Sequence, residues 1–299
     1  MINIHLHNVD LTSNSGPNTF GQKLFRAMKE MGVDFNSYKD PDITLAFIQS
    51  IRAPKNGPLF QRLDGIYFNI DQDYNTLNKP ILETYKKANG VIFQSNFNKR
   101  LITKFFGEHE NSTIIHNGSE VDLIDKIPKN VANISDKYDN IWCCAAHWRP
   151  HKRLNSNIQY FLEKAGENDI LFVAGSTPGQ TYNDPRIKYL GNIKYETLLT
   201  ILKSSDYFLH LAWLDHCPNV VVDARASGCR VICTSSGGTK EIAGKNAIII
   251  KEEEWSLEPV KLYEPPKLDF NKIVSNDYDS DYDMESVARK YLNFMWEKK

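Results

Sequence analysis

The chain has 299 residues, 41% of them apolar and 24% charged, which is ordinary for a globular protein of about two domains. Lys plus Arg number 36 and Asp plus Glu 37, a formal net charge of −1 that excludes a general attraction to nucleic acid or anionic lipid. Five cysteines without a C-x-x-C pair exclude a disulfide framework or zinc knuckle and point to a reducing compartment.

No apolar run approaches the ~20 residues that span a bilayer, and "MINIHLHNVD" lacks the regions of a signal peptide. The expectation is a cytoplasmic protein without a transmembrane segment, meeting a membrane surface at most through its substrate.

Ile2, Ile4 and Leu6 alternate with polar residues as in a strand. After the loop "SNSGPN", Phe20, Leu24, Met28 and Met31 recur at helical spacing. "DITLAFI" and "GVIFQS" are strand-like, "LETYKKAN" and "NFNKRLITKFF" helical, and "STIIHNG" (112–118) closes this half. The polar segment 125–140, interrupted by Pro128, reads as a linker. "IWCCAA" (141–146) then opens a second series as a strand buried on both faces. Helix-like "NSNIQYFLEKA", strand-like "DILFVAG" and "RIKYLG", helical "YETLLTILKSS", and the runs "DYFLHLA", "RVICTS" and "NAIII" continue it. In the tail, Met284, Val287, Ala288, Tyr291, Leu292 and Met295 form one apolar helical stripe.

Strands alternating with helices of ~10 residues indicate parallel sheets of βαβ units. The expected fold is α/β, with two Rossmann-like doubly wound domains facing each other across a cleft. The expected divisions are 1–130, 138–283 and a terminal helix, 284–299, packing across the body.

The stretch "DHCPNVVVDARASGCRVICTSSGG" (215–238) places Asp215 and Asp223 on either side of an apolar run. Buried carboxylates need a charged or hydrogen-bonding partner. Pro218 and Asn219 suit the start of a helix running to about Ser227 and ending at Gly228, whose free amides would form an anion site. Gly237 and Gly238 let backbone approach a ligand closely.

These residues resemble the signature of the retaining glycosyltransferases of family 4, which have the GT-B architecture. The matching letters are Asp215, Asp223-Ala224, Ala226-Ser227-Gly228-Cys229-Arg230-Val231 and Gly237-Gly238-Thr239-Lys240-Glu241. "HWRPHKRL" (147–154), "VIFQSNFNKRLI" and "IIHNGSEVD" extend the resemblance over most of the chain. It implies a retaining transferase moving a sugar from a nucleotide-sugar donor, of the UDP or GDP type, to a glycan or glycolipid acceptor, with no metal or other cofactor.

By position, the resemblance implies that Asp223 holds the ribose hydroxyls, Asp215 contacts the transferred sugar, and Arg149 and Lys152 neutralise the diphosphate. Asn219 and Val220, behind Pro218, would offer backbone amides. Independently of the family, glycosyl transfer builds negative charge on the leaving phosphate, which fixed cations and helix-end dipoles stabilise. Both family glutamates are aspartates here. Alignment on Lys152 puts His147 where many members carry arginine, and Arg149 is assigned in its place.

Other features carry two readings. Gly16 resembles the family's N-terminal glycine loop near sugar and acceptor, or is a plain turn. Asp64 in "RLDGIYF" is an acceptor-side contact or base, or a turn-forming Asp-Gly. "IDQD" (70–73) follows a strand as in metal-dependent GT-A enzymes, but that leaves the second series unexplained. "NDYDSDYD" (276–283) alternates acids without the glycine or final glutamate of a calcium loop, so it reads as a solvated loop with a helix cap. His5 and His7 share a strand face, without zinc-motif spacing. The functional alternatives are a non-catalytic nucleotide-sugar-binding module and a GT-B nucleotide-sugar epimerase.

Overall fold

The computed structural model describes residues 2–13, 15–35, 40–50, 56–129, 136–177, 179 and 182–298. The chain forms two compact units, the first of residues 1–119, 256–260 and 281–299, the second of 120–255 and 261–280.

In the first unit β1 (Ile4–His7), β2 (Ile43–Phe47), β3 (Leu59–Leu63), β4 (Gly90–Phe93) and β5 (Ser112–Ile114) form a parallel sheet in sequence order. The helices α1 (Gly16–Glu30), α2 (Tyr74–Lys87) and α3 (Asn96–Phe106) connect strands. The i, i+4, i+8 set Phe20, Leu24 and Met28 turns α1 onto the core, against Ile43, Leu45 and Phe47 of β2. The terminal stripe forms α9 (Met284–Glu297), whose Val287, Tyr291 and Met295 join that same core. Asp283 caps α9 by accepting from Ser286 N–H at 3.0 Å. Ser119 N–H donates to Tyr282 O at 2.7 Å and Met284 N–H to Ser119 O at 2.9 Å, which ties this helix into the first unit. The acids ahead of it have partners within their own units: Asp279 pairs with Arg225, and Asp281 with Lys290.

In the second unit, after the short α4 (Val121–Asp125), a seven-stranded sheet is built from β6 (Ile141–Ala145), β7 (Ile170–Ala174), β8 (Ile187–Gly191), β9 (Tyr207–His210), β10 (Arg230–Thr234), β11 (Ile248–Ile250) and β12 (Ile273–Val274). All neighbours are parallel except β11 and β12. α5 (Leu154–Lys164), α6 (Tyr195–Lys203), α7 (Asn219–Ala226) and α8 (Thr239–Ile242) connect them. The sheet order is β12-β11-β10-β9-β6-β7-β8. The chain therefore winds outward from β6 through β7 to β8, then returns to the other side of β6 with β9. The strand order reverses between β6 and β9, which is where open α/β sheets collect ligands at the carboxyl ends of their strands.

Strand β3 is absent from the sequence reading because its centre, Gln61-Arg62, is polar, yet both side chains are fully buried. The linker expected over 125–140 has the end of α4 at its start, and residues 130–135 fall outside the described ones.

Candidate functional site

Loops leaving β6, β9 and β10, three adjacent strands of the second sheet, bring the candidate residues together. The β6 loop carries exposed His147 and Arg149, then a 3-10 turn over Pro150–Lys152. Lys152 Nζ reaches Asp215 Oδ2, in the β9 loop, at 2.5 Å. His210 Nε2, on the last residue of β9, lies 2.8 Å from that same oxygen, and His216 N–H donates to Asp215 Oδ1 at 3.1 Å. Burial alone would raise the Asp215 carboxyl, but the Lys152 charge and the His210 contact outweigh it and hold the group well below the usual carboxylate range.

The β10 loop locks onto the same residue through backbone. Gly238 N–H donates to Asp215 O at 2.8 Å. Gly237 has φ +75°, and a β-carbon there would come within 2.5 Å of Asp215 O. That approach requires glycine.

Pro218 is the N-cap of α7, and Gly228 follows its end at φ +96°. Proline's fixed φ favours the start and glycine's freedom the stop. Val221 N–H is taken by Pro218 O at 3.1 Å, and Asn219 and Val220 are the first two residues of the helix. Asp223 lies on the fifth helical residue and is 2% exposed.

Buried His151 and partly buried His216 flank the cations. Burial and the Lys152 charge push His151 down to about 3; its ring stacks on Tyr263 at 5.6 Å, and its Nδ1 is buried without a partner. Burial takes His216 down to about 4, although Asp215 pulls the other way. Neither was singled out from the sequence, where the two look like ordinary loop histidines.

The first unit places Asp64 just after β3. Its Oδ1 accepts from Gln94 Nε2 at 2.9 Å and from Arg62, while Oδ2 is buried without a partner. Burial pushes this carboxyl up, against the opposing pull of Arg62. Arg62 is itself fully buried, donating to Tyr291 Oη at 3.1 Å and Asn117 Oδ1 at 2.7 Å with its guanidinium 4.0 Å from the Phe20 ring centre. Gly16 is the exposed first residue of α1. Asp73 caps α2 through Thr76 N–H at 3.1 Å. His5 and His7 approach each other at 3.4 Å on β1. No group of three or more histidines, cysteines and acids suited to a metal ion occurs among the described residues. No helix among them is long and apolar enough to cross a membrane.

Residues 139–261, most of the second unit, match the family model described as Glycosyl transferases group 1. Over 267 residues the chain is 24% identical to the uncharacterized glycosyltransferase MJ1069 of Methanocaldococcus jannaschii, covering 82% of this chain and 64% of that protein. The chain thus spans less than two thirds of that relative's length. Anabaena Alr3699/HepE, solved in complex with UDP and glucose, matches with a TM-score of 0.69 at 13% identity, over 99% of this chain and 100% of that one. Sucrose-phosphate synthase from Thermosynechococcus elongatus matches with a TM-score of 0.62 at 14% identity, over 99% and 91% of the two chains. AviGT4, a glycosyltransferase involved in avilamycin A biosynthesis, gives 0.62 at 14% identity, over 99% and 98%. The fold of the chain is that of the GT-B glycosyltransferases, two Rossmann-like domains, and its residues 139–261 are similar to glycosyl transferases group 1.

Proposed function

We propose that the chain is a retaining glycosyltransferase that moves a sugar from a nucleoside-diphosphate sugar to a glycan or glycolipid acceptor. The observation that carries this reading is the meeting of Lys152 and Asp215 across the strand-order reversal between β6 and β9, directly ahead of the N-terminus of α7. Cations, first-turn amides and an acid then converge where an α/β sheet takes its ligand.

In this reading Lys152 and Arg149 lie against the diphosphate, lysine as a point charge and arginine as a planar fork. The bond from the anomeric carbon to the phosphate oxygen breaks and the leaving diphosphate takes the electron pair, while the acceptor hydroxyl oxygen bonds to the anomeric carbon and its proton passes to the departing phosphate oxygen. Fixed positive groups and the amides of Asn219 and Val220 stabilise that charge without reorganising. Asp223 accepts from the ribose hydroxyls, and Asp215 from a hydroxyl of the transferred sugar. Gly237 and Gly238 hold Asp215 by backbone. A metal ion has no role in this scheme. The donor class, a UDP or GDP sugar, is supported by the UDP and glucose held in the HepE structure. On the acceptor side, Asp64, whose side chain is 15% exposed, is a contact for an acceptor hydroxyl, and Gly16 leaves room for backbone approach. Five buried free thiols suit a reducing, cytoplasmic setting.

A second reading, a non-catalytic nucleotide-sugar binder, is favoured by one observation: both Asp215 oxygens are already engaged within the chain.

Titration calorimetry with UDP, GDP and ADP in the presence of chelator, followed by assay of nucleotide release from the corresponding sugar nucleotides, tests the proposal. Binding of one diphosphate, with release from its sugar nucleotide accelerated by an acceptor glycan, is the expected result. Binding without turnover establishes the second reading. Conversion of the sugar without an acceptor indicates an epimerase, and failure to bind any nucleoside diphosphate overturns all three.

A further inference from the structure

Glu252 follows β11, the strand beside β10, and opens a run of three glutamates that looks like a solvated patch in the sequence. Its side chain is instead only 4% exposed and uses both carboxylate oxygens. Oε1 accepts from Arg153 Nη2 at 2.6 Å, and Oε2 accepts from the Ser236 hydroxyl. Its backbone N–H donates to Ser235 Oγ at 2.8 Å.

Each partner sits beside a residue of the candidate donor site. Arg153 follows Lys152 and is held at φ +51°, a left-handed conformation that a side-chain-bearing residue keeps only where its surroundings over-determine it. Those surroundings are Glu252, Pro266 O at 2.8 Å and Leu211 O at 3.3 Å. Ser236 precedes Gly237 and Gly238, the pair that grips the Asp215 backbone. One carboxylate thus ties the loop carrying the cations, after β6, to the loop locking the acid, after β10.

A buried ion pair of this kind is weak evidence for stability, because desolvation offsets most of the attraction and apolar replacements are often neutral. Its partners point to another role. We propose that Glu252 is a positioning residue: it fixes Lys152 and the Gly237-Gly238 loop in the spacing that receives a diphosphate, without touching the ligand itself. This rests on the donor-binding reading above.

The test compares UDP with uridine by calorimetry, and GDP with guanosine if that base binds better, in the wild-type chain, Glu252→Gln and Ser236→Ala. The ratio of the two affinities isolates what the diphosphate adds. Glu252→Gln is expected to lower that ratio at least tenfold while nucleoside affinity changes less than twofold. Ser236→Ala, which removes one arm through a single hydroxyl, is expected to lower it severalfold. Circular dichroism and the thermal midpoint report folding, and if Glu252→Gln does not fold, Ser236→Ala carries the comparison alone. An unchanged ratio, or equal weakening of diphosphate and nucleoside, overturns the positioning role. A wild-type chain that binds UDP and GDP no better than their nucleosides overturns the donor reading, and this inference with it.

Discussion

Lys152 Nζ and Asp215 Oδ2 lie 2.5 Å apart, so the cation assigned to the donor diphosphate is paired with the acid assigned to the donor sugar. A diphosphate must share or displace that carboxylate. Replacing Asp215 with Asn removes the competing charge and nearly preserves the shape. The expected outcome is three- to tenfold tighter binding of the preferred nucleoside diphosphate by calorimetry, roughly 0.7–1.4 kcal/mol. Turnover of the sugar nucleotide is expected to fall by about a hundredfold or more, since an interaction with the reacting sugar is lost. Weaker diphosphate binding in Asp215→Asn would show instead that the acid holds Lys152 in place.

His151 and His216 set a pH dependence of stability. Their folded values, about 3 and about 4, lie below the ordinary histidine value of 6.5, the first lowered by burial and Lys152, the second by burial. The unfolded chain then binds more protons as pH falls, so stability is full above pH 6.5 and is lost progressively between 6.5 and about 4. Each such histidine contributes a slope approaching 1.4 kcal/mol per pH unit in that window. Asp215, whose carboxyl is depressed, adds stability that is lost only lower, below the unfolded aspartate range. Thermal midpoints measured from pH 7.5 to 4.5 should drop steadily, and His151→Gln should flatten the fall. An identical profile in that variant would remove His151 from the account.

The local punctuation of the site was readable from the sequence, and its long-range wiring was not. Pro218 and Gly228 bracket α7 through fixed backbone preferences, and the buried run Ile141–Ala145 needs no partner to be recognised as a strand. Strand β3 escaped because periodicity cannot tell a buried arginine from an exposed one. Arg62 is satisfied by Asn117 and Tyr291, and Tyr291 lies 229 positions away. Glu252 escaped for a similar reason: Arg153 is 99 residues distant, and nothing in a run of glutamates marks the one that turns inward. Asp64 could be read as a turn former, but its charged neighbour two residues back decides its surroundings.

The Arg62 cluster yields a stability prediction confined to the first unit. Tyr291→Phe removes the hydroxyl that accepts from Arg62 Nε and leaves the ring packed against Phe20, with centroids 5.9 Å apart. Losing a hydrogen bond to a buried charge should cost about 1.5–3 kcal/mol. Arg62→Ala should cost more, on the order of 3–5 kcal/mol, because Asp64 is left buried without its cation. Urea denaturation followed by circular dichroism gives both values. If Tyr291→Phe is neutral, a water molecule or another acceptor serves the guanidinium equally well.

Gly237 gives the sharpest steric prediction for the candidate donor site. At φ +75° a side-chain-bearing residue is strained, and the added β-carbon of Gly237→Ala would stand 2.5 Å from Asp215 O and 2.9 Å from Asp215 N. Both contacts are backbone, so neither can swing aside as a flexible side chain would. The β10 loop must retreat, and the Gly238 N–H bond to Asp215 O goes with it. A loss of roughly 1–3 kcal/mol in stability follows from overpacking and strain. The functional loss should be larger than stability explains: at a temperature where the variant is fully folded, nucleoside diphosphate affinity should fall at least tenfold, because the Gly237-Gly238 loop no longer keeps the spacing to Lys152 that receives the diphosphate. Gly166→Ala is the control, since a β-carbon there makes only ordinary contacts with the Asp169 side chain, the nearest at 3.5 Å. It should leave diphosphate binding unchanged. Equal binding by Gly237→Ala and the wild-type chain would separate the glycine loop from the donor site.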